Sequence, residues 1–403
     1  MTHQSNSRAG RCTAISAARL FDGSGAATVT DPLVVIDGGR VRSVASGPGA
    51  IVPADADLVE LPGATLLPGL IDTHVHLAFD AGFTPVASLA ARDDEEALAA
   101  MTVAATAHLL AGVTTVRDLG DRDYLALALR VRSGPVLPTI LAAGPPITIP
   151  DGHCHFLGGA ASGPAGVRAA VREHVERGVD VIKVMAGGGE LTPGTDIYAS
   201  AFSPAELRSV VDEAHRYGLQ VVAHAHSVAS ISDVIAAGVD GIEHCAFRTP
   251  GGVEVPDALV TAIVERRIAV GATLGIVPVP GLAPPPGLAR DLPAVRVAHA
   301  RLWKAGALMV PATDAGIAPV KPHGVLPHGL VQLAELGASN VEALLAGTSI
   351  AAAVCGLADS KGRIAPGYDA DLIAVDGDPT TDLTVLQSPV AVFACGHPVV
   401  PTG

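Results

Sequence analysis

One unit recurs through the middle of this chain, and it limits the fold more than any other feature. A helical stretch closes on a glycine or a charged turn, and a short apolar strand follows. Residues 108–112 lead into 113–118, 175–178 into 181–185, and 215–218 into 221–224. The unit returns at 235–238 into 241–244, at 264–267 into 268–270, and at 303–306 into 308–312. Glycine is the residue expected just past a helix C-terminus. Adding an apolar strand at 65–77 and another near 138–144 gives eight strands alternating with helices. Eight such units argue for an α/β fold, a parallel (β/α)8 TIM-type barrel spanning 66–357. A doubly wound open sheet is the structural alternative. The helix at 203–217 has a defined start, with Ser203 as N-cap, Pro204 at its first position and Glu206 completing a capping box.

The flanks read differently. Short strands are expected at 13–17, 32–37, 40–45 and 57–61, with Asp37-Gly38-Gly39 as a hairpin turn. Beyond the barrel's strands, 340–357 reads as one helical segment opened by a Ser339/Glu342 capping box. Strands then return at 362–364, 371–375 and 389–393. The head, 1–65, and the tail, 358–403, are expected to pair into one small β-sandwich domain, because barrel termini can lie close together. Aromatic residues make up 3% of the chain and apolar ones 49%, so Ala, Val and Leu must build the core.

The formal charge of −14 argues against nucleic acid or an anionic membrane as partner. No run of 18 apolar residues suggests a membrane span. The first 20 residues lack an apolar leader core and carry Arg8, Arg11 and Arg19, so no secretory leader is expected. Five scattered cysteines read as free thiols in a reducing cytoplasm.

In a parallel barrel, chemistry sits at the C-terminal ends of the strands. There this sequence places His74 and His76, Lys183, His224, His244 and Asp314. His74 and His76 fall on one side of a strand, which suits half of a metal site or a pair of buried, hydrogen-bonded histidines. Four histidines and a carboxylate converging on one mouth point to divalent metal. Lys183 is costly to bury as an ammonium, and burial favours the neutral amine. That amine can add carbon dioxide to give a carbamate able to bridge two metals; alternatively it pairs with a carboxylate such as Glu190.

The motifs 68–76 (PGLIDTHVH), 180–185 (DVIKVM) with Gly187-Gly188-Gly189, and 224–226 (HAH) resemble the amidohydrolase superfamily. So do 242–244 (IEH), 312–316 (ATDAG) and the tail 362–372 (GRIAPGYDADL). The similar branch holds prolidase-like (Xaa-Pro dipeptidase), imidazolonepropionase-like and ochratoxin-degrading enzymes. The resemblance implies a site with two divalent ions, most often Zn2+. His74, His76 and Asp314 would hold the first ion, and His224 and His244 the second. Carboxylated Lys183 and a hydroxide would bridge them, with Asp314 moving the proton to the leaving amine. Deaminases of the superfamily carry a glutamate three residues after the strand-5 histidine; Ser227 stands there, which favours amide hydrolysis.

His153, in Asp151-Gly152-His153-Cys154-His155, stands where prolidase-like relatives hold a substrate carbonyl or carboxylate; a loop hydrogen bond is the plainer alternative. His155 is a weaker candidate. His226 occupies the place of a tyrosine that binds substrate carboxylate in dipeptidase-like members. Arg248 could supply that contact or be only a solvated charge, and Tyr198 is a further substrate-binding candidate. The proline-rich 276–293 is a stiff lid or a surface loop.

Together these features describe a cytoplasmic, binuclear metal-dependent amidohydrolase acting on small N-acyl amino acids, dipeptides or related amides. Opening of a cyclic amide or lactone is the second enzyme reading, and a non-catalytic metal-bound binding protein a third. The expected partners are the small-molecule substrate and further copies of the chain in a homo-oligomer.

Overall fold

The computed structural model describes residues 12–134 and 136–399. Residues 1–11, with Arg8 and Arg11 and the first part of the stretch on which the leader expectation rests, fall outside the described residues. Eight parallel strands form the main body: β1 (Leu70–Val75), β2 (Val113–Asp118), β3 (Thr139–Ala142), β4 (Val181–Met185), β5 (Gln220–Ser227), β6 (Gly241–Thr249), β7 (Ala269–Gly271) and β8 (Met309–Val310). They pair as two parallel ribbons, β1-β2-β3 and β4-β5-β6-β7-β8. Both seams between the ribbons are stitched. Ile147 bridges Val184, and Val75 bridges Ala315. The backbone bonds Met185 N to Ile147 O (2.8 Å) and His76 N to Ala315 O (2.9 Å) complete them. The architecture is the (β/α)8 barrel that the repeated unit implies.

The local signals explain the elements. β4 (VIKVM) is buried along its whole length, as a strand covered by helices must be. The helix Pro204–Arg216 begins with the Ser203/Glu206 capping box, each side chain accepting from the other's backbone N–H. Such a cap is worth about 1 kcal/mol. Gly178 closes the helix Gly163–Arg177 at φ 82°, where a Cβ would be strained.

Three expectations are corrected. The apolar run at 65–77 is not one strand. Asp57–Pro68 belongs to the outer sheet, and β1 starts at Leu70. Gly69 makes the break, since a Cβ there would run into the Thr114 side chain. The helical segment at 340–357 is two helices, Asn340–Ala346 and Ser349–Val354. Gly347 separates them, accepting from Ile71 N at 2.9 Å while packing closely on Leu330. Residues 362–364 are a turn and not a strand. Gly362 is left-handed at φ 79°, and Ile364 N bonds to Asp22 O instead of a ladder partner.

Head and tail meet in one mixed eight-stranded sheet. Asp57–Pro68 lies at its centre, parallel to Thr13–Leu20 and antiparallel to Leu372–Asp376. The sheet curls on itself, because Ala370 N bonds to Gly39 O and Gly367 N to Val41 O. Ile15, Val34, Leu66, Leu372 and Phe393 fill its interior. Among the described residues, no helix is long and apolar enough to cross a membrane.

Candidate active site

The C-terminal ends of the barrel strands carry two groups of metal-donor side chains. His74, His76 and Asp314 form one, and His224, His226 and His244 the other. In the first, Asp314 Oδ1 lies 3.4 Å from His74 Nε2 and 3.3 Å from His76 Nε2. In the second, the His226 and His244 rings stack at 4.3 Å, and His224 stands 4.6 Å from each. The backbone is bent to make this mouth. His244 (φ 68°), Thr273 (φ 45°), Ala312 (φ 47°) and Asp314 (φ 60°) are all left-handed without being glycine. Such conformations gather where function over-determines the chain.

Three of the histidines are oriented from behind. His76 Nδ1 donates to Gly120 O at 2.9 Å, and His224 Nε2 to Gly188 O at 3.0 Å. His74 Nδ1 meets Glu243 Oε2 at 2.9 Å, leaving Nε2 facing Asp314. Burial holds His74, His224, His226 and His244 well below the ordinary imidazole value, and the Lys183 charge adds to it. They are therefore neutral, the form that donates a lone pair to metal. Burial pushes the Asp314 carboxyl up, but His74 and His76 more than offset this and hold it at about 2. It is ionised near neutral pH.

Lys183 is the anomaly. Only 1% of it is exposed, and its Nζ has no hydrogen-bond partner among the described residues. Burial lowers its pKa, with Glu243 and Asp314 partly countering. The alternative pairing with Glu190 is not made, because Glu190 instead accepts from Arg248 at 2.9 Å. A lone buried ammonium costs several kcal/mol. An imidazole-rich donor set around an orphaned amine fits a metal pair with a carboxylated bridge.

The other candidates divide. His153 is buried, its ring 4.6 Å from His224, with Nδ1 unpartnered; burial lowers its pKa to about 4. Gly189 leaves it room, since a Cβ there would collide with the ring. His155 is exposed and bonds its own loop at Gly152 O, so the structure does not bring it to the mouth. Arg248 is not a solvated charge. It is 3% exposed, held by Glu190 at 2.9 Å and with Asp291 Oδ2 3.5 Å from its Nε. Tyr198 accepts from Arg290 at 3.3 Å, and Arg290 also grips Asp291. The proline-rich 276–293 is loop only to Pro285; the helix Pro286–Lys304 takes the rest. Ser227 caps the helix Val228–Ala237, accepting from Ser230 N.

Sequence reasoning passed over the residues that brace this mouth. Glu243 holds His74 and lies 3.6 Å from the buried Arg117, whose Nε donates to Thr73 O. Asp72 accepts from Thr313 N and Oγ1, and Lys321 donates to Thr313 O and Thr273 O at 2.7 Å each. These bonds lock the turn that carries Asp314. One signal was available for Glu243: Gly271, inside β7, leaves no room for a Cβ beside that carboxylate. Outer-shell partners of ligating histidines typically contribute 10–100-fold to metal affinity. Glu243→Gln should therefore release metal to a chelator about 10–100-fold more readily, with an unchanged circular dichroism spectrum.

The comparisons with known proteins fall on the same side. The amidohydrolase family model matches residues 65–399. The chain belongs to the amidohydrolase family. This amidohydrolase is 28% identical to ochratoxinase of Aspergillus niger, over 95% of this chain and 85% of the ochratoxinase. It is 28% identical to imidazolonepropionase of Cereibacter sphaeroides, over 94% of this chain and 96% of that enzyme. A crystal structure of a Xaa-Pro dipeptidase with methionine bound in its active site superposes with a TM-score of 0.83 at 28% identity, covering 96% of this chain and 99% of that one. As a member of the family, the protein is a hydrolase acting on amide carbon–nitrogen bonds.

Proposed function

We propose that this amidohydrolase holds two divalent ions, Zn2+ by the character of its donors, and hydrolyses the amide bond of a small N-acyl amino acid, dipeptide or related amide. The observation that carries the reading is the Lys183 amine, buried at 1% exposure with no hydrogen-bond partner among the described residues, in the barrel whose strand ends carry both donor groups. His74, His76 and Asp314 would hold one ion, and His224 and His244 the other. The neutral Lys183 amine would add carbon dioxide at Nζ, losing one proton, and its carbamate oxygens would serve both. Bound there, two such ions polarise a carbonyl and make water acidic.

The chain's own groups do the rest. Asp314 Oδ1 faces the His74/His76 pair, and its second oxygen would be left for the reaction. That oxygen takes the proton from the attacking water and returns it to the leaving nitrogen. His153 and His226, both with an unpartnered buried Nδ1, would orient the substrate carbonyl or carboxylate. Arg248 and Tyr198 would border the substrate from the side of the helix Pro286–Lys304. In this reading the barrel, which begins at Leu70, carries the chemistry, and the outer sheet built from the head and tail strands braces it. The assembly would be a cytoplasmic homo-oligomer.

One observation favours a second reading. Arg248 is already faced by two carboxylates, which weakens it as an anchor for a substrate carboxylate and leaves a cyclic or uncharged amide open. Elemental analysis of protein supplied with zinc and bicarbonate should find close to two ions per chain. A panel of N-acyl amino acids and dipeptides, set against cyclic amides and lactones and run with and without chelator, should show chelator-sensitive turnover of the linear amides. One ion or fewer would sink the binuclear site, and turnover confined to cyclic substrates would select the second reading.

A further inference from the structure

The far end of the barrel, opposite the donor groups, holds a cavity of about 630 Å3. Its inner wall is the start of β5 through β8, and its outer wall is the helix Ser349–Val354 with the turn beyond it. That volume is in the range of small-molecule sites. Val222, Ile268, Ile350 and Val354 give it an apolar lining. Four guanidiniums surround the same space: Arg117, Arg266, Arg267 and Arg363.

This gathering of cations is unusual in a chain of net charge −14. Among the described residues, Arg266, Arg267 and Arg363, all on the exposed rim, form no ion pair; Arg266 donates to Ile235 O at 2.6 Å, and Arg267 and Arg363 make no side-chain hydrogen bond. Asp240 is the one carboxylate in the lining, and it is committed, accepting from Val221 N at 2.7 Å and His215 Nε2 at 2.9 Å. An apolar wall beside uncompensated guanidiniums recognises an amphiphilic anion, because Arg pairs readily with carboxylate and phosphate oxygens while the apolar wall shelters the body.

Arg117 also connects this cavity to the opposite mouth. It lines the cavity, donates from Nε to Thr73 O, and lies 3.6 Å from Glu243, which holds His74 at 2.9 Å. We propose that this cavity is a binding site for a small organic oxyanion with an apolar body, and that its occupancy is felt at the active site through Arg117 and Glu243. An anion engaging the guanidinium competes with Glu243 for it, and the bond that orients His74 changes with it. Such coupling is reciprocal between the two sites.

The test uses intact metal-loaded protein and needs no knowledge of the substrate to read binding. Octanoate and octyl phosphate are titrated by calorimetry, with octanol and inorganic phosphate as controls. The comparison protein is Arg267→Gln/Arg363→Gln, whose changes lie on the cavity rim, far from the donor groups. Octanoate or octyl phosphate should bind wild type at about 1 mM or tighter, a level typical of small ligands. The stronger of the two identifies the head group. The double variant should bind at least about tenfold more weakly, since charge-assisted contacts dominate such recognition. Its basal turnover should be unchanged, while saturating octanoate shifts kcat/KM in wild type alone. No heat with either anion would overturn the proposal. So would equal affinity for wild type and variant, which is the result for an anion bound only at the metal mouth. Binding without any shift in kcat/KM would overturn the coupling through Arg117.

Discussion

Asp314→Asn should fold, keep most of its metal and lose about 10²–10⁴ in kcat with little change in KM. The expectation starts from the backbone. Asp314 sits at φ 60°, in the left-handed region that Asn and Asp tolerate better than other residues. Its N–H bonds to His74 O at 2.7 Å, a contact that the substitution leaves alone. The amide keeps one oxygen toward His74 and His76. What it cannot do is accept a proton. The carboxyl is held at about 2 by those two histidines, so wild type offers an ionised carboxylate near neutral pH. Steady-state kinetics on the best substrate of the panel, with metal content measured on the same samples, checks this. Turnover within a few-fold of wild type at saturating metal would move the proton to another group, His153 or His226 being next in line.

Lys183→Ala should lose metal and activity together, and here the effect on binding is the larger one. Among the described residues Nζ has no hydrogen-bond partner, so removing it breaks no bond seen in the barrel. The fold should survive with the cost of a cavity in β4. Lys183→Met fills that volume and separates the two effects. If the amine becomes the bridging carbamate, both variants should fall to about one ion or fewer per chain. A ligand shared by both ions is a stricter requirement than an outer-shell partner, whose loss typically costs 10–100-fold. Short carboxylic acids such as acetate or propionate should restore part of the metal and turnover to Lys183→Ala, because the vacated volume admits them, and not to Lys183→Met. Two retained ions and normal turnover in either variant would show that the lysine is structural.

The barrel was legible because its signal is repeated and local. The helices close on a glycine, as at Gly178 and Gly238, or on a charged turn, as at Arg266-Arg267, and the strands are short, largely buried runs such as VIKVM. The outer sheet was legible for the same reason, and its strands at 32–37 and 40–46 fall where alternation and the Asp37-Gly38-Gly39 turn put them. Breaks set by distant neighbours were not legible. Gly69 splits an unbroken apolar run because Thr114 occupies the space of its Cβ, and Gly347 splits a helix because it packs on Leu330. Neither partner is near in sequence.

The same division runs through the site. The residue types and their places at strand ends determined that His74, His76, Lys183, His224, His244 and Asp314 would share one mouth, since a parallel barrel aims all its strand ends the same way. Sequence alone could not decide the company each side chain keeps. Arg248 reads as a substrate contact or a solvated loop charge until the fold buries it against Glu190 and Asp291. His226 reads as a substrate contact, and the fold adds that its ring stacks on His244, beside the second donor group. Glu243 is silent until β1 and β2 bring His74 and Arg117 to its two oxygens. Periodicity and capping are local properties and are written in consecutive residues. Pairing, burial and the fate of a charge depend on groups distant in sequence, as far as His74 from Glu243, and only the barrel brings those together.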